Sequence, residues 1–267
     1  MVGLGQFVDL VKVVTALIVL GFLGYEDLKT RELSAVVVYA YLAVGVVLFI
    51  ITVLTSPFPL VIQVVYIVFS LVASAGLFTL LYKLGLVGDG DLYVSIALGF
   101  TFSHPSLYWL TLVSAGIMPP VLIIVLYASF ICIVYMLVNA VVVLAKYREA
   151  VRSLQGRYRL ILPLIGKPVK LSEYTGGKYV HYFPLQYFEV SNGVAVTKYK
   201  VLTRVEEGDE ATTLRKLVES GLVNPNTYIW VTPGIPFVFY LFLGLILLLV
   251  LGDLPVVTFI TTLFSGA

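Results

Sequence analysis

Gly88-Asp89-Gly90-Asp91 places two carboxylates and two glycines at the start of an apolar stretch. Charged side chains beside hydrocarbon are costly, so such carboxylates mark a functional site by default. A carboxylate can serve as a general acid or base in catalysis. Glycine accepts positive φ and lets another backbone approach, so an extended peptide could lie against Gly88 and Gly90. A turn before a helix explains the same four residues, and the elements around them must decide.

The composition limits which elements can surround this motif. Of the 267 residues, 60% are hydrophobic and 12% are charged, and the mean hydropathy is +1.03. One soluble core cannot hide that much apolar surface, so the sequence predicts a membrane protein. The net charge of +2 is too small to indicate a nucleic-acid partner. The single cysteine, Cys132, excludes a disulfide framework and a Cys-x-x-Cys zinc site.

Segment length divides the chain into six predicted spans, because a membrane helix needs about 20 apolar residues. Pro105 must end or kink the fourth span early, so residues 107–116 either complete it or lie at the far interface. Residues 254–264 are too short to span again and are expected at the interface. The predicted spans are residues 7–25, 35–54, 60–82, a segment starting at 91 or 92, 119–145 and a segment ending near 252.

Residues 146–229 form a predicted soluble insertion, because they hold 13 of the 17 Lys and Arg residues. Residues 179–190 and 194–205 are rich in Val, Tyr, Phe and Thr, and Ser191-Asn192-Gly193 between them predicts a β-hairpin. Asp209 to Gly221 predicts a short amphipathic helix with Gly221 at its C-terminal end.

The predicted fold class is an all-α polytopic membrane protein with about six transmembrane helices. A small soluble α+β cytoplasmic insertion separates helices five and six. The predicted domains are a membrane domain of helices one to five over residues 1–145, the insertion over 146–229, and the sixth helix with a C-terminal interfacial segment over 230–267.

The positive charges predict the orientation of these spans. Alternating the six helices puts 16 of the 17 Lys and Arg residues on one face. By the positive-inside rule this face is cytoplasmic and both termini lie outside. The same topology brings Asp27, at the cytoplasmic end of helix one, to the membrane depth of Asp91, at the start of helix four. Two carboxylates that are distant in sequence can therefore meet.

A pair of aspartates in a poorly solvated place cannot easily ionise together, so one keeps a proton and the other stays charged. Peptide hydrolysis needs this division. The ionised member activates a water as general base, while the protonated member assists the scissile carbonyl and the leaving amine. No covalent intermediate, metal or cofactor is required. Which aspartate holds the proton is open at the level of sequence, because such a pair titrates as a unit.

Two motifs in order carry a family resemblance. Asp27-Leu28-Lys29-Thr30-Arg31-Glu32-Leu33-Ser34 after the first helix, with Gly88-Asp89-Gly90-Asp91 opening the fourth, resembles the type IV prepilin peptidases, a family of Gly-x-Gly-Asp membrane aspartyl proteases. Residues 232–237, Thr-Pro-Gly-Ile-Pro-Phe, are similar to the archaeal preflagellin and prepilin peptidases. The resemblance implies removal of a short basic leader from archaellin or pilin-like precursors at the cytoplasmic membrane. It implies that Asp27 and Asp91 are the catalytic pair.

Supporting roles follow for residues around this pair. The residues expected to bind substrate or shape the site are Gly88, Gly90, Asp89, Glu32, Pro233 and Pro236. Asp89 falls at the variable position of the motif. With Glu32 it either attracts the basic leader or is a solvated loop charge. The two prolines either shape the cleft or only fix a helix entrance.

Lys29, Arg31 and Lys83 are expected to be positive-inside anchors, although a cation beside Asp27 could also tune the pair. The Cys-x-x-Cys zinc segment of the bacterial enzymes, and the amino-methylation that accompanies it, have no counterpart in the sequence. We therefore expect a protease only, without metal or cofactor.

Two alternatives stay open. A presenilin-like or signal-peptide-peptidase-like protease shares Gly-x-Gly-Asp, but such enzymes have about nine spans and a Tyr-Asp motif, whereas Asp27 follows Glu26. A proton- or cation-coupled carrier could use the same carboxylates. Against the carrier, both aspartates are predicted at one membrane edge, and the sequence has no visible inverted repeat.

Overall fold

A computed structural model describes residues 3–84, 87–179, 182–191, 194–199 and 210–265 of the chain. The described part is mostly helical. Its helices are α1 (Leu4–Lys29), α2 (Ala35–Thr55), α3 (Leu60–Lys83), α4 (Asp89–Thr101), α5 (Pro120–Lys146), α6 (Arg148–Arg152), α7 (Tyr158–Ile165), α8 (Leu171–Thr175), α9 (Glu210–Glu219), α10 (Phe237–Leu251) and α11 (Leu254–Ser265). The strands are β1 (Lys167–Lys170), β2 (Phe183–Pro184), β3 (Gln186–Ser191), β4 (Val194–Tyr199) and β5 (Tyr228–Thr232).

Four of the described helices are long and apolar enough to cross a membrane, namely α1, α2, α3 and α5. Helices α10 and α11 pass the same test only as a pair that bends by 80° at their junction. The protein is therefore a multi-pass membrane protein with four to five such helices. The count of six spans and the orientation stay predictions.

Helix α4 has only 13 residues. At 1.5 Å per residue it is about 20 Å long, shorter than the roughly 30 Å of a bilayer core. Residues 107–116 do not extend it as an α-helix, since Pro105–Leu110 form a 3₁₀ turn that is followed by irregular backbone. The early end of α4 agrees with the proline at position 105, whose ring cannot continue a helix.

The contacts divide the chain into two compact units, Met1–Cys132 with Pro236–Ala267 and Ile133–Ile235. The division falls within α5. The predicted domain borders near residues 146 and 229 stay predictions, because they rest on charge density rather than on contacts.

In the first unit, glycines let the helices around α4 approach closely. A Cβ on Gly45 of α2 would lie 2.8 Å from the Oγ1 atom of Thr101 and 3.1 Å from the carbonyl oxygen of Ala97. The backbone of α2 therefore packs directly against α4 at this position. On another side, Gly99 of α4 faces the Ser74 side chain, in the π-helical turn Val72–Gly76 of α3. These contacts fix the depth and rotation of α4.

The irregular segment after α4 is held by one carboxylate. Asp253, fully buried between α10 and α11, accepts hydrogen bonds from four consecutive backbone N–H groups. The donors are Ala115 at 2.7 Å, Gly116 at 3.0 Å, Ile117 at 2.8 Å and Met118 at 3.1 Å. Backbone N–H groups outside regular secondary structure need partners of this kind. The Asp253 carboxylate therefore takes the place of the backbone carbonyl acceptors that a helix would have provided for the N–H groups of residues 115–118.

A second buried polar cluster joins α1 to the 3₁₀ turn. Asp9 and Lys12 are both buried and form an ion pair of 3.3 Å. Asp9 also accepts hydrogen bonds from the Ser106 hydroxyl at 3.0 Å and the Trp109 indole at 3.4 Å. These hydrogen bonds compensate the burial of the carboxylate, so the cluster is explained as packing.

The second unit is an α+β structure built around β5. Strand β5 pairs antiparallel with β1 on one side and with β2 on the other. Successive side chains of a strand point to opposite faces. Accordingly Ile229 and Val231 enter one apolar cluster, with Leu171 of α8 and Leu214 of α9, whereas Trp230 enters another. A strand buried on both faces explains how this small unit holds two cores.

The predicted hairpin is confirmed, but its first strand begins at Gln186 and not at residue 179, because Phe183–Pro184 pair with β5 instead. Strands β3 and β4 pair antiparallel from Gln186 with Tyr199 to Ser191 with Val194. Asn192 and Gly193 of the predicted turn, and residues 200–205 of the predicted second strand, lie outside the described part of the chain. Helix α9 is found where the amphipathic pattern predicts it, and Gly221 has a φ of +72° just after its end.

Candidate active site

Asp27 lies in the last turn of α1, and its buried carboxylate caps another helix. Its Oδ2 atom accepts hydrogen bonds from the backbone N–H groups of Val238, at 3.0 Å, and Phe239, at 3.4 Å, in the first turn of α10. The first N–H groups of a helix have no partner within it, and the helix dipole favours a negative charge there. Gly24 allows this approach, because a Cβ at that position would lie 3.1 Å from the Cα atom of Phe239.

Arg31 supplies a positive charge on the other side of the same carboxylate. Its Nη1 atom is 4.0 Å from the Oδ1 atom of Asp27 and is buried without a hydrogen-bond partner. Among the described residues other than glycine, Arg31 alone has a positive φ, of 62°. A left-handed conformation costs a residue with a Cβ about 1–2 kcal/mol. The loop after α1 therefore holds this guanidinium near Asp27 against a backbone preference.

Asp91 is the third residue of α4 and is half-buried. Its Oδ2 atom accepts a hydrogen bond of 3.1 Å from the backbone N–H of Gly88, the residue that caps the helix. The Asp91 carboxyl interacts electrostatically with Asp27 and with Asp89, and α10 contacts α4 as well as α1. The structure thus brings Asp27 and Asp91 to one site at the ends of two helices.

The two glycines of the motif are explained differently from the sequence expectation. Gly88 has φ −82° and ψ 169°, and neither Gly88 nor Gly90 adopts a positive φ. A Cβ on Gly90 would lie 2.7 Å from the Cδ1 atom and 3.3 Å from the Cγ atom of Leu33. Gly90 therefore makes room for a side chain of the protein's own α1–α2 loop, which ties the loop carrying Arg31 to the start of α4.

The acidic residues near the site differ in exposure. Glu26 accepts a hydrogen bond of 3.0 Å from the Ser34 N–H, which closes the loop between α1 and α2. Ser34 is the N-cap residue of α2, but its side chain makes no capping hydrogen bond. Glu32 and Asp89 are exposed, and neither forms an ion pair with another described residue. Both carboxylates are therefore available to a basic ligand.

Of the two predicted prolines, Pro236 is buried and occupies the N-cap position of α10, directly before the N–H groups that bind Asp27. Proline presets the backbone at a helix start and needs no donor of its own. Pro233 belongs to the second unit, where it lines a cavity of about 110 Å³ with Asn139, Lys167 and Tyr182. Pro236 therefore lies at the helix start that binds Asp27.

No group of three His, Cys, Asp or Glu side chains arranged to hold a metal ion is found among the described residues. The functional groups that sequence reasoning missed are the backbone N–H groups of Val238 and Phe239. The sequence indicates a helix start there, because Pro236 precedes an apolar run. It does not indicate that Asp27 binds the first N–H groups of that helix. The sequence predicts Arg31 mainly as a membrane anchor, whereas its spacing of four residues from Asp27 is the signal for the ion pair.

Comparison with protein families gives two matches. Residues 14–137 match the model described as Type IV leader peptidase family, and residues 158–254 match Archaeal Peptidase A24 C-terminus Type II. No curated protein and no solved structure matches the chain. The first match contains Asp27 and Asp91, and the second contains Pro236 and the start of α10. Fold and matches together define a multi-pass membrane peptidase.

The chain belongs to the type IV leader peptidase family, in its archaeal prepilin and preflagellin peptidase branch. The resemblance in the two motifs is thereby confirmed. A peptidase family favours the hydrolase over the carrier among the alternatives that the sequence left open.

Proposed function

We propose that the protein is an aspartyl endopeptidase that removes the short basic leader of archaellin or type IV pilin-like precursors. The observation that carries this proposal is a pair of aspartates at the ends of α1 and α4, two helices that both contact α10, with carboxylates held in unequal surroundings. No metal or cofactor takes part in the proposed reaction.

In the proposed mechanism Asp27 is the ionised member of the pair. Its carboxylate accepts two backbone N–H groups at the positive end of α10 and lies beside the Arg31 guanidinium. The Asp91 carboxyl accepts a single N–H group and has the carboxylates of Asp27 and Asp89 as neighbours. Opposite charges and donors favour the charged form, and like charges oppose it. Asp91 therefore keeps the proton.

The reaction then follows general acid–base chemistry. Asp27 takes a proton from a water molecule, whose oxygen attacks the scissile carbonyl carbon while Asp91 donates its proton to the carbonyl oxygen. The tetrahedral intermediate returns that proton to Asp91 as the carbonyl forms again. The C–N bond breaks, and the proton held by Asp27 passes to the leaving amine. Both aspartates end in their starting states.

Substrate recognition is proposed to use the exposed carboxylates of Glu32 and Asp89, which attract the basic leader electrostatically. Gly88 and Gly90 shape the site through the capping of α4 and the packing of Leu33. Pro236 fixes the start of α10, and the role of Pro233 stays a prediction from the sequence. The partners in this proposal are the precursor proteins and the lipid bilayer.

We further propose that the enzyme lies in the cytoplasmic membrane with six spans, both termini outside and the dyad at the cytoplasmic face. The distribution of Lys and Arg supports this orientation. The soluble insertion, over residues 146–229, is then cytoplasmic as well.

A membrane cleavage assay tests the function. The wild type is compared with Asp27→Asn and Asp91→Asn on a precursor carrying a basic leader, in proteoliposomes. Each variant is expected to lose at least about a thousandfold in kcat, since one proton-transfer group is removed. Glu219→Gln, an exposed carboxylate of α9, is the matched control and should cleave normally. Cleavage at wild-type rate by either dyad variant would refute the assignment.

A further inference from the structure

Three arginines line a groove at the C-terminal end of α5, within the second unit. The groove has a volume of about 750 Å³. Arg148 and Arg152 lie at the two ends of α6, and Arg159 lies in the first turn of α7. Apolar side chains complete the wall, among them Leu144, Val151, Leu160, Pro163 and Leu164.

The groove has an excess of positive charge. No acidic side chain is found among the described residues that line it, and Arg148, Arg152 and Arg159 form no ion pair with a described carboxylate. Other cations of the same unit behave differently, because Lys178 and Lys198 each pair with a glutamate. Three exposed guanidinium groups on one concave surface fit an anion, and guanidinium is well suited to phosphate.

The position of the groove along α5 places it near the membrane surface. Helix α5 is 27 residues long, meets the criteria for a membrane span and ends at Lys146. Leu137, Val141 and Leu144 on its last turns are exposed, by 55%, 67% and 48%. Exposed apolar side chains on a spanning helix face acyl chains, and the basic residues that follow lie at the level of lipid headgroups.

We propose that this groove binds the phosphate of an anionic membrane lipid, whose acyl chains lie along the exposed side of α5. The arginines bind the phosphate of the headgroup, and the apolar wall contacts the glycerol and acyl-chain region next to it. A free phosphate ion would leave that apolar wall without a partner, so the lipid fits the whole surface. Basic pockets beside membrane helices are suited to anionic headgroups.

Lipid binding to the purified full-length protein tests the proposal independently of peptidase activity. Native mass spectrometry in neutral detergent would follow titration with phosphatidylglycerol or phosphatidylcholine. The wild type is expected to bind phosphatidylglycerol at least about tenfold more tightly than phosphatidylcholine, because several cations of the groove lie near the anionic headgroup. The variant with Arg148→Gln, Arg152→Gln and Arg159→Gln should lose that preference, and replacement of the same three residues by lysine should keep most of it.

The matched control removes three positive charges elsewhere on the same unit, with Lys170→Gln, Lys178→Gln and Lys216→Gln, and should bind like the wild type. Equal loss in this control would overturn the proposal, because general surface charge would then explain the binding. Absence of lipid preference in the wild type would overturn it directly. Full displacement of the lipid by millimolar inorganic phosphate would also overturn it, since the apolar wall would then contribute nothing.

Discussion

Replacing Gly90 by alanine tests how the Gly-x-Gly-Asp motif positions Asp91. The new Cβ would lie 2.7 Å from the Cδ1 atom and 3.3 Å from the Cγ atom of Leu33, whereas carbon atoms prefer about 3.5–4.0 Å. Inserting one methyl group into a packed contact costs about 1–3 kcal/mol. Part of that strain must move either Leu33 or the first turn of α4, which carries Asp91.

The expected result is a loss of activity in addition to the loss of stability. A displacement of about 1 Å in a catalytic group lowers rates by about a hundredfold. We therefore expect Gly90→Ala to lower kcat/KM by about tenfold to a hundredfold in the precursor cleavage assay. Gly5→Ala is the matched control, because a Cβ at Gly5 of α1 has no neighbour within 4 Å. It should cleave like the wild type.

A second substitution separates two explanations of this loss. Leu33→Ala removes the Cγ and Cδ atoms that the new methyl group would meet, so the double variant should recover most of the activity lost in Gly90→Ala. The double-mutant cycle should give a coupling energy of about 1–3 kcal/mol in kcat/KM. Wild-type turnover by Gly90→Ala would refute the steric reasoning. A double variant no better than Gly90→Ala would show that Gly90 faces the substrate rather than Leu33.

Three further outcomes are expected. Arg31→Gly should lower kcat at least about tenfold, because the positive charge beside Asp27 is lost. The melting temperature should not fall, because glycine accepts the φ of 62° that costs arginine about 1–2 kcal/mol. A fall in both kcat and the melting temperature would show a merely structural role. Asp253→Asn should lower the free energy of unfolding by about 2–4 kcal/mol in a thermal unfolding assay, since an amide has one oxygen for four backbone donors; a melting temperature equal to that of Glu219→Gln would contradict this. Reversing the charges of Glu32 and Asp89 together should weaken cleavage of basic leaders most; an equal effect on leaders stripped of charge would exclude the electrostatic role.

The sequence was sufficient for features that depend on local pattern. Apolar length predicted the helices now seen as α1, α2, α3 and α5, because a span is encoded by consecutive residues. Alternation and turn residues predicted the β3–β4 pairing, and Pro105 predicted the early end of α4. The backbone of residues 107–116 was not predictable from the sequence. The N–H groups of Ala115 and Gly116 bind Asp253, which lies more than a hundred residues further along the chain.

The sequence alone predicted which two aspartates form the proposed catalytic pair, because each lies in a short motif whose order along the chain is typical of one peptidase family. Only the tertiary structure decided what surrounds them. The N–H groups of α10 bind Asp27 across 211 residues of chain, and Leu33 fills the space that Gly90 leaves open. Both depend on helix packing rather than on neighbouring residues. Hydrogen bonds and close contacts between distant segments leave no periodic signal in a sequence, and these contacts distinguish the two carboxylates.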